Sequence, residues 1–267
     1  MAALGVAVGR FLLPQNGPGR EHLYAMAAAF FVCGFGNAVN DVLDMEADRI
    51  NHPRRPLPSG RLSRREAGLM GVMFALAAIV LALPLNALGR IIVAGALILV
   101  TWYNLALKHT AFWGNLSVSL LAACTFILGG AEQGVGEVLR LPGPLIAATL
   151  AFLMHLMREI VKDIEDRIGD AVAGGRTAAV TYGVRWAVAA VWPVFIFLTA
   201  GIIGIHIIGW FNRVYLALAV ILIVIPSAAL LVWMSLKPDR FRCRSVSVIL
   251  KVQMAVGIIG LVIGRGY

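Results

Sequence analysis

Nine runs of apolar residues, at about 1–13, 22–39, 67–85, 90–107, 112–130, 143–160, 184–208, 213–235 and 246–263, alternate with short polar stretches along the chain. None shows the period-2 alternation of a half-buried strand, and most approach the roughly 20 residues an α-helix needs to cross ~30 Å of hydrocarbon. In lipid a spanning segment has to satisfy its own backbone N–H and C=O groups, so these spans are predicted to be helices. The separators "PQNGPGR", "NHPRRPLPSGRLSRRE", "LPGP" and "LKPDRFRCR" hold the Pro, Gly and charge that stop them. Gly34, Gly36, Pro193 and Pro226 fall inside spans, where small residues allow close packing and Pro is tolerated. The pattern predicts an all-α polytopic membrane protein, one domain over 1–267 with nine transmembrane helices.

The first run is short. Thirteen residues make about 20 Å of helix, and no basic stretch precedes "AALGVAVG" as it would in a signal peptide. Met1 is expected to fall inside a longer first helix.

Composition agrees with the spans: 60% of the 267 residues are hydrophobic and 14% charged, against roughly 25% charged in soluble domains. A net charge of +9 raises the question of nucleic acid. The basic residues lie between spans, however, not on a patch interleaved with aromatics. The connections after spans two, four, six and eight, with their flanks, hold sixteen Lys and Arg, and the opposite connections hold five. The positive-inside rule places the richer side in the cytoplasm and explains the charge without nucleic acid. The three Cys are far apart, which argues against a disulfide framework or zinc site, and they are expected to be buried. His155 and His206, inside apolar runs, are expected to be packed and hydrogen-bonded.

Acidic residues are scarce and clustered. Eight of the 14 Asp and Glu fall in "NDVLDMEAD" (40–48) and "DIEDRIGD" (163–170), which share the spacing D-x-x-D-x-x-x-D. Both blocks end a span on the cytoplasmic side. Asp41, Asp44 and Asp48 match Asp163, Asp166 and Asp170 at an offset of 122 residues, which suggests two four-helix pseudo-repeats, about 1–130 and 131–235. An extra helix follows at about 246–263.

If each block continues its helix, Asn40, Asp44 and Asp48 form one stripe, and Arg158, Lys162, Asp166 and Asp170 another, because residues four apart share a face. Like charges packed this closely are unstable unless a cation neutralises them. Hard carboxylate oxygens suit Mg2+, which takes one or two carboxylates and completes its shell with phosphate and water. Two facing clusters, formed by Asp41, Asp44, Asp48, Asp163, Asp166 and Asp170, are thus candidates to hold Mg2+ on a diphosphate. Arg55, Lys108 and Lys162 are candidates to stabilise that diphosphate as it leaves.

"NDVLDMEADRINHPRRPLPSG", "YNLALKHTAFWGN" and "KDIEDRIGD" resemble, in order and spacing, the signatures of the UbiA superfamily of intramembrane prenyltransferases. "REIVKDIEDRIGD" with "GGRTAAV" is most similar to its archaeal-type geranylgeranylglyceryl phosphate geranylgeranyltransferases. The resemblance covers about residues 5 to 265. It departs at the N-terminus, where the family has cavity-lining residues before "AALGVAVG". It implies a nine-helix bundle with a cytoplasmic cap over a central cavity open sideways to lipid.

What the resemblance implies for function is a Mg2+-dependent multi-pass enzyme of the cell membrane. It would transfer a geranylgeranyl group from its diphosphate to the hydroxyl of a lipid acceptor, through an allylic carbocation. Asp44, Asp48, Asp166 and Asp170 with Asn40 would hold Mg2+ and diphosphate, supported by Asp41 and Asp163. Tyr103, Lys108 and Asn115 come from the middle segment; Tyr103 and span aromatics such as Trp102 are candidates to stabilise the cation by cation–π contact, with ordinary packing in the span the alternative for both. Arg54 and Arg158 are among the cations available to an acceptor phosphate. The loops "NHPRRPLPSG" and "AVAGGRTAAVTYG" are long enough to cap the cavity. An aromatic acceptor such as 4-hydroxybenzoate is the second reading, and a divalent-cation transporter a remote third. Oligomeric state is left open.

Overall fold

The protein's structure, a computed structural model, describes residues 1–14, 19–172 and 174–265. Residues 15–18 of the "PQNGPGR" separator and residue 173 of "AVAGGRTAAVTYG" lie outside the described residues, as do 266 and 267.

The helices follow in chain order: α1 (Ala2–Phe11), α2 (Arg20–Leu43), α3 (Met45–Asn51), α4 (Arg64–Ala82), α5 (Ala87–Leu105), α6 (Trp113–Ala131), α7 (Val135–Val138), α8 (Pro144–Val172), α9 (Ala178–Thr181), α10 (Val184–Ile207), α11 (Arg213–Ala219), α12 (Ile225–Leu236) and α13 (Arg240–Ile263). A π-helical turn, Val220–Val224, joins α11 and α12 into one span. Eight helices among the described residues are long and apolar enough to cross a membrane. They match the second to ninth predicted runs. The first run forms a ten-residue helix, about 15 Å long.

Local sequence sets the helix starts. Ser63 and Glu66 form a capping box at α4, and the side chains of Asn86, Asn212 and Asp239 accept the Gly89, Tyr215 and Arg242 amides. Such caps satisfy orphan N–H groups where the chain leaves the bilayer. Pro226 cannot donate to the carbonyl four residues back, and the π turn absorbs the defect. Gln253 of α13 donates to the freed Leu222 and Ile223 carbonyls at 3.1 and 3.3 Å and accepts from Ser227 Oγ at 2.9 Å. A buried amide thus repairs a backbone that lipid cannot solvate.

α8 is the central element and packs on α6, α10 and α13, while α2 packs on α4. The surface is that of a lipid-embedded bundle, with Phe30, Leu69, Ile91 and Phe197 exposed. His155 Nδ1 lies 2.9 Å from the Ala151 carbonyl and His206 Nδ1 2.8 Å from that of Phe211, as expected of packed histidines. Cys243 is buried as expected, but Cys124 is half-buried and Cys33 exposed, because both line the cavity.

Candidate active site

The two acidic blocks meet at one end of the bundle. α2 stops at Leu43, and Asp44, at φ −85° and ψ 1°, caps both α2 and α3. The helical hydrogen bonds persist across the joint, from Asp44 N to the Asn40 carbonyl and from Asp48 N to the Asp44 carbonyl, both 2.8 Å. The expected Asn40/Asp44/Asp48 stripe therefore survives as a bent one. The second block needs no joint, since α8 runs unbroken to Val172. Its 29 residues give about 43 Å of helix, longer than the hydrocarbon core, and carry the acids beyond it.

Each block holds cations. Lys108 stands on the 3-10 turn Leu107–His109 after α5. Its Nζ donates to Asn40 Oδ1 at 3.2 Å and contacts the Asp44 carboxylate directly. Arg55 Nη1 lies 2.7 Å from Asp48 Oδ2 and 3.4 Å from Asp41 Oδ1. On α8, Lys162 Nζ is 3.4 Å from Asp166 Oδ2, one turn along. Burial, with the Lys162 ammonium next, pushes the Lys108 pKa down to about 8 against the pull of Asp170 and Asp41. Lys108, in contact with the first block, is thus also within electrostatic reach of Asp170 in the second.

Asn51 and His52 join the blocks. Asn51 Nδ2 donates to the Asp166 carbonyl at 2.9 Å, His52 Nε2 lies 3.2 Å from Asp166 Oδ1, and Arg240 Nη2 donates to the Asn51 carbonyl at 2.5 Å. Gly169 makes this possible, because a Cβ there would stand 2.3 Å from Asn51 Nδ2. Gly169→Ala is accordingly expected to push α3 off α8, destabilising the protein by about 1–3 kcal/mol and lowering turnover. Unfolding in detergent and a turnover assay check this; an unchanged pair of values would mean that α3 docks without Asn51.

Behind the acids lies a cavity of about 890 Å³. Asn40, Asp41, Arg55, Arg158, Glu159 and Lys162 line its polar end, and Val32, Val93, Ala96, Val118, Leu128 and Ile202 are part of a long apolar wall. Tyr103 faces into it. Trp102 does not: it is 60% exposed on the bundle's outside, because neighbours on a helix point ~100° apart. The expected contact of Trp102 with a carbocation is thereby overturned. Asn115 stands behind the second block, its Nδ2 donating to Asp163 Oδ2 at 2.9 Å. Arg54 is exposed on the loop, away from the cavity wall. Arg158 lines the cavity with its Nη1 2.6 Å from Glu159 Oε1.

Asn51, His52, Glu159 and Arg240 were not singled out from sequence. Glu159 had a signal, being one turn before Asp163 on the same helix. Asn51 follows Asp48 by three and so shares its face.

Among the described residues no three His, Cys, Asp or Glu side chains converge as a ready-made metal cage. Mg2+ does not require one when phosphate and water fill its shell. The donors fit it chemically: hard carboxylates, with Asp166 Oδ1 buried and lacking a well-formed hydrogen bond.

The family model of the UbiA prenyltransferase family matches residues 2–251. The digeranylgeranylglyceryl phosphate synthase of Methanothermobacter thermautotrophicus is 34% identical over 248 residues, covering 91% of this chain and 85% of that protein. A solved structure of digeranylgeranylglyceryl phosphate synthase superposes with a TM-score of 0.74 at 28% identity, over 98% of this chain and 92% of that one. A UbiA homologue from Archaeoglobus fulgidus, solved with DMAPP and Mg2+, gives a TM-score of 0.66 at 17% identity, over 97% of this chain and 94% of that one.

Proposed function

The chain belongs to the UbiA prenyltransferase family, and from that premise we propose that it transfers a geranylgeranyl group from geranylgeranyl diphosphate to the hydroxyl of geranylgeranylglyceryl phosphate. It is a multi-pass membrane enzyme. The observation that carries the reading is the joining of two acidic blocks, with their cations, at the polar end of a long apolar cavity. The names of its relatives support this acceptor.

Asn40, Asp44 and Asp48 on one side and Asp166 and Asp170 on the other would hold Mg2+, with Asp41 and Asp163 in support. When bound, the metal supplies charge neutralisation for the departing diphosphate. Arg55, Lys108 and Lys162 bind the diphosphate oxygens, exchanging their carboxylate partners for substrate. The C–O bond breaks with its electrons leaving on diphosphate, and the allylic cation remains in the apolar cavity beside Tyr103. Water is excluded there, so that the acceptor hydroxyl is the nucleophile that meets the cation. Its oxygen forms the new ether bond, and its proton passes to a site carboxylate or to released diphosphate. Asn115 positions Asp163, and the two acidic blocks would descend from the pseudo-repeats at about 1–130 and 131–235. The sixteen-to-five split of basic residues supports a cytoplasmic site.

The test is a product assay on purified protein in lipid, with geranylgeranyl diphosphate, Mg2+ or EDTA, and either geranylgeranylglyceryl phosphate or 4-hydroxybenzoate, read by mass spectrometry. A doubly prenylated glyceryl phosphate that disappears with EDTA is expected. A prenylated ring instead would keep the acid-block chemistry and replace the acceptor.

A further inference from the structure

Lys251 is a cation without a place in the charge pattern. It lies inside the ninth apolar run, five residues past its start at 246, which is about 7.5 Å along the helix. The other basic residues of α13, Arg240, Arg242 and Arg244, stay at the acidic end. Lys251 is exposed and lines the same cavity as the polar end of α8. Among the described residues it has neither an ion pair nor a hydrogen bond. An ammonium within a span is costly and calls for a polar partner.

The partner level on α8 follows from the helix geometry. α8 and α13 pack against each other, and they run antiparallel, since α8 ends and α13 begins at the acidic end. Glu165 and Arg244 are within electrostatic reach of each other there. Seven residues inward from each, about 10.5 Å along both helices, lie Arg158 and Lys251. Arg158 and Lys251 thus line one cavity from two helices packed against each other. Arg158 is held by Glu159 through Nη1, while its Nε is buried with no hydrogen-bond partner. Arg158 precedes Lys162 by one turn, about 6 Å. The Arg158–Lys251 pair is thus separate from the Lys108, Arg55 and Lys162 cluster at the acids, and lies on its tunnel side.

We propose that Arg158 and Lys251 form a second anion site, which takes the phosphate monoester of the lipid acceptor as it enters from the bilayer. The proposal rests on the phosphorylated acceptor argued above. A glyceryl phosphate carries its phosphate within a carbon or two of the free hydroxyl. With the phosphate one helical turn from the diphosphate cations, that hydroxyl reaches the carbon from which diphosphate departs. Glu159 restrains the Arg158 guanidinium, leaving its other edge and the unpaired Lys251 ammonium for the ligand. The site would separate the acceptor phosphate from the donor diphosphate, so neither anion competes for the other's cations.

The test uses the full chain in zwitterionic lipid with Mg2+, varying geranylgeranyl diphosphate, geranylgeranylglyceryl phosphate and its dephosphorylated alcohol in turn. Lys251→Met and Arg158→Gln are each expected to raise the KM for the phosphorylated acceptor about 10- to 100-fold, the worth of a charge-assisted hydrogen bond. The donor KM should move little and the preference for phosphate over alcohol should collapse. Lys251→Arg should recover most of it. Lys251 is exposed, so its Met variant keeps the proposal testable even where Arg158→Gln does not fold. An unchanged phosphate preference in Lys251→Met would overturn the site and leave the lysine as a residue whose stem reaches back to bilayer headgroups. A parallel rise in donor and acceptor KM would overturn it as well. A wild-type protein that prenylates no glyceryl phosphate would overturn the acceptor reading beneath it.

Discussion

Asp166→Asn should reduce turnover by about 10³-fold, the scale on which losing one fixed electrostatic stabiliser is felt, while the protein remains folded. Asp166 is buried, with Lys162 Nζ 3.4 Å from one carboxylate oxygen and His52 Nε2 3.2 Å from the other. The amide fills the same volume, so packing of α3 on α8 through the Asp166 carbonyl is retained. What is lost is a hard anionic oxygen, which an amide oxygen replaces poorly for Mg2+. Lys162 is not stranded by the change, because Glu159 and Asp163 remain within electrostatic reach. Asp44→Asn should act similarly from the first block, since its carboxylate is what Lys108 contacts. Asp239→Asn is the control: Asp239 caps α13, and Asn caps a helix about as well as Asp. The measurements are turnover with geranylgeranyl diphosphate and size-exclusion behaviour in detergent. Turnover like that of wild type in either Asp166→Asn or Asp44→Asn would remove both blocks from the chemistry.

The spans and the acids were legible for the same physical reason. Lipid demands long apolar helices with few charges, so where charges persist they stand out, and Asp44 or Asp166 can be picked from the chain without coordinates of any kind. Facing is harder. α5 is apolar almost all round, and nothing in its period tells Tyr103, which faces the cavity, from Trp102, which faces outward. Asn51 and His52 follow the first block into what reads as a basic, Pro-rich loop. Their approach to Asp166 depends on a bend at Asp44 and a missing side chain at Gly169, 118 residues after Asn51. Lys251 belongs to neither side of the charge count, so the sequence pattern gives it no role. Only the packing of α13 against α8 gives it a neighbour.

A close crossing of α1 and α6 carries the second large effect. Gly9 of α1 and Gly129 of α6 let two backbones touch: a Cβ on Gly9 would stand 2.0 Å from the Phe126 carbonyl oxygen, and one on Gly129 would stand 2.1 Å from that of Val6. Both obstacles are backbone, which cannot rotate away as a side-chain tip would. Gly129→Ala is therefore expected to destabilise the bundle by about 1–3 kcal/mol, the usual cost of overpacking, despite the better helix propensity of Ala. Gly9→Ala should do the same, and the double variant should cost less than their sum, since either one alone already parts the helices. The consequence reaches the site. Ala2 lines the cavity, so moving α1 opens the apolar wall that keeps water from the carbocation, and diphosphate release without ether formation should rise. Gly95→Ala in α5 is the contrast, with nothing within 4 Å of its added carbon; it should stabilise by about 0.4–1 kcal/mol. Thermal inactivation in detergent ranks the variants, and the ratio of released diphosphate to ether product reads the leak. Equal midpoints for Gly129→Ala and Gly95→Ala would mean that α1 does not seat against α6 this closely.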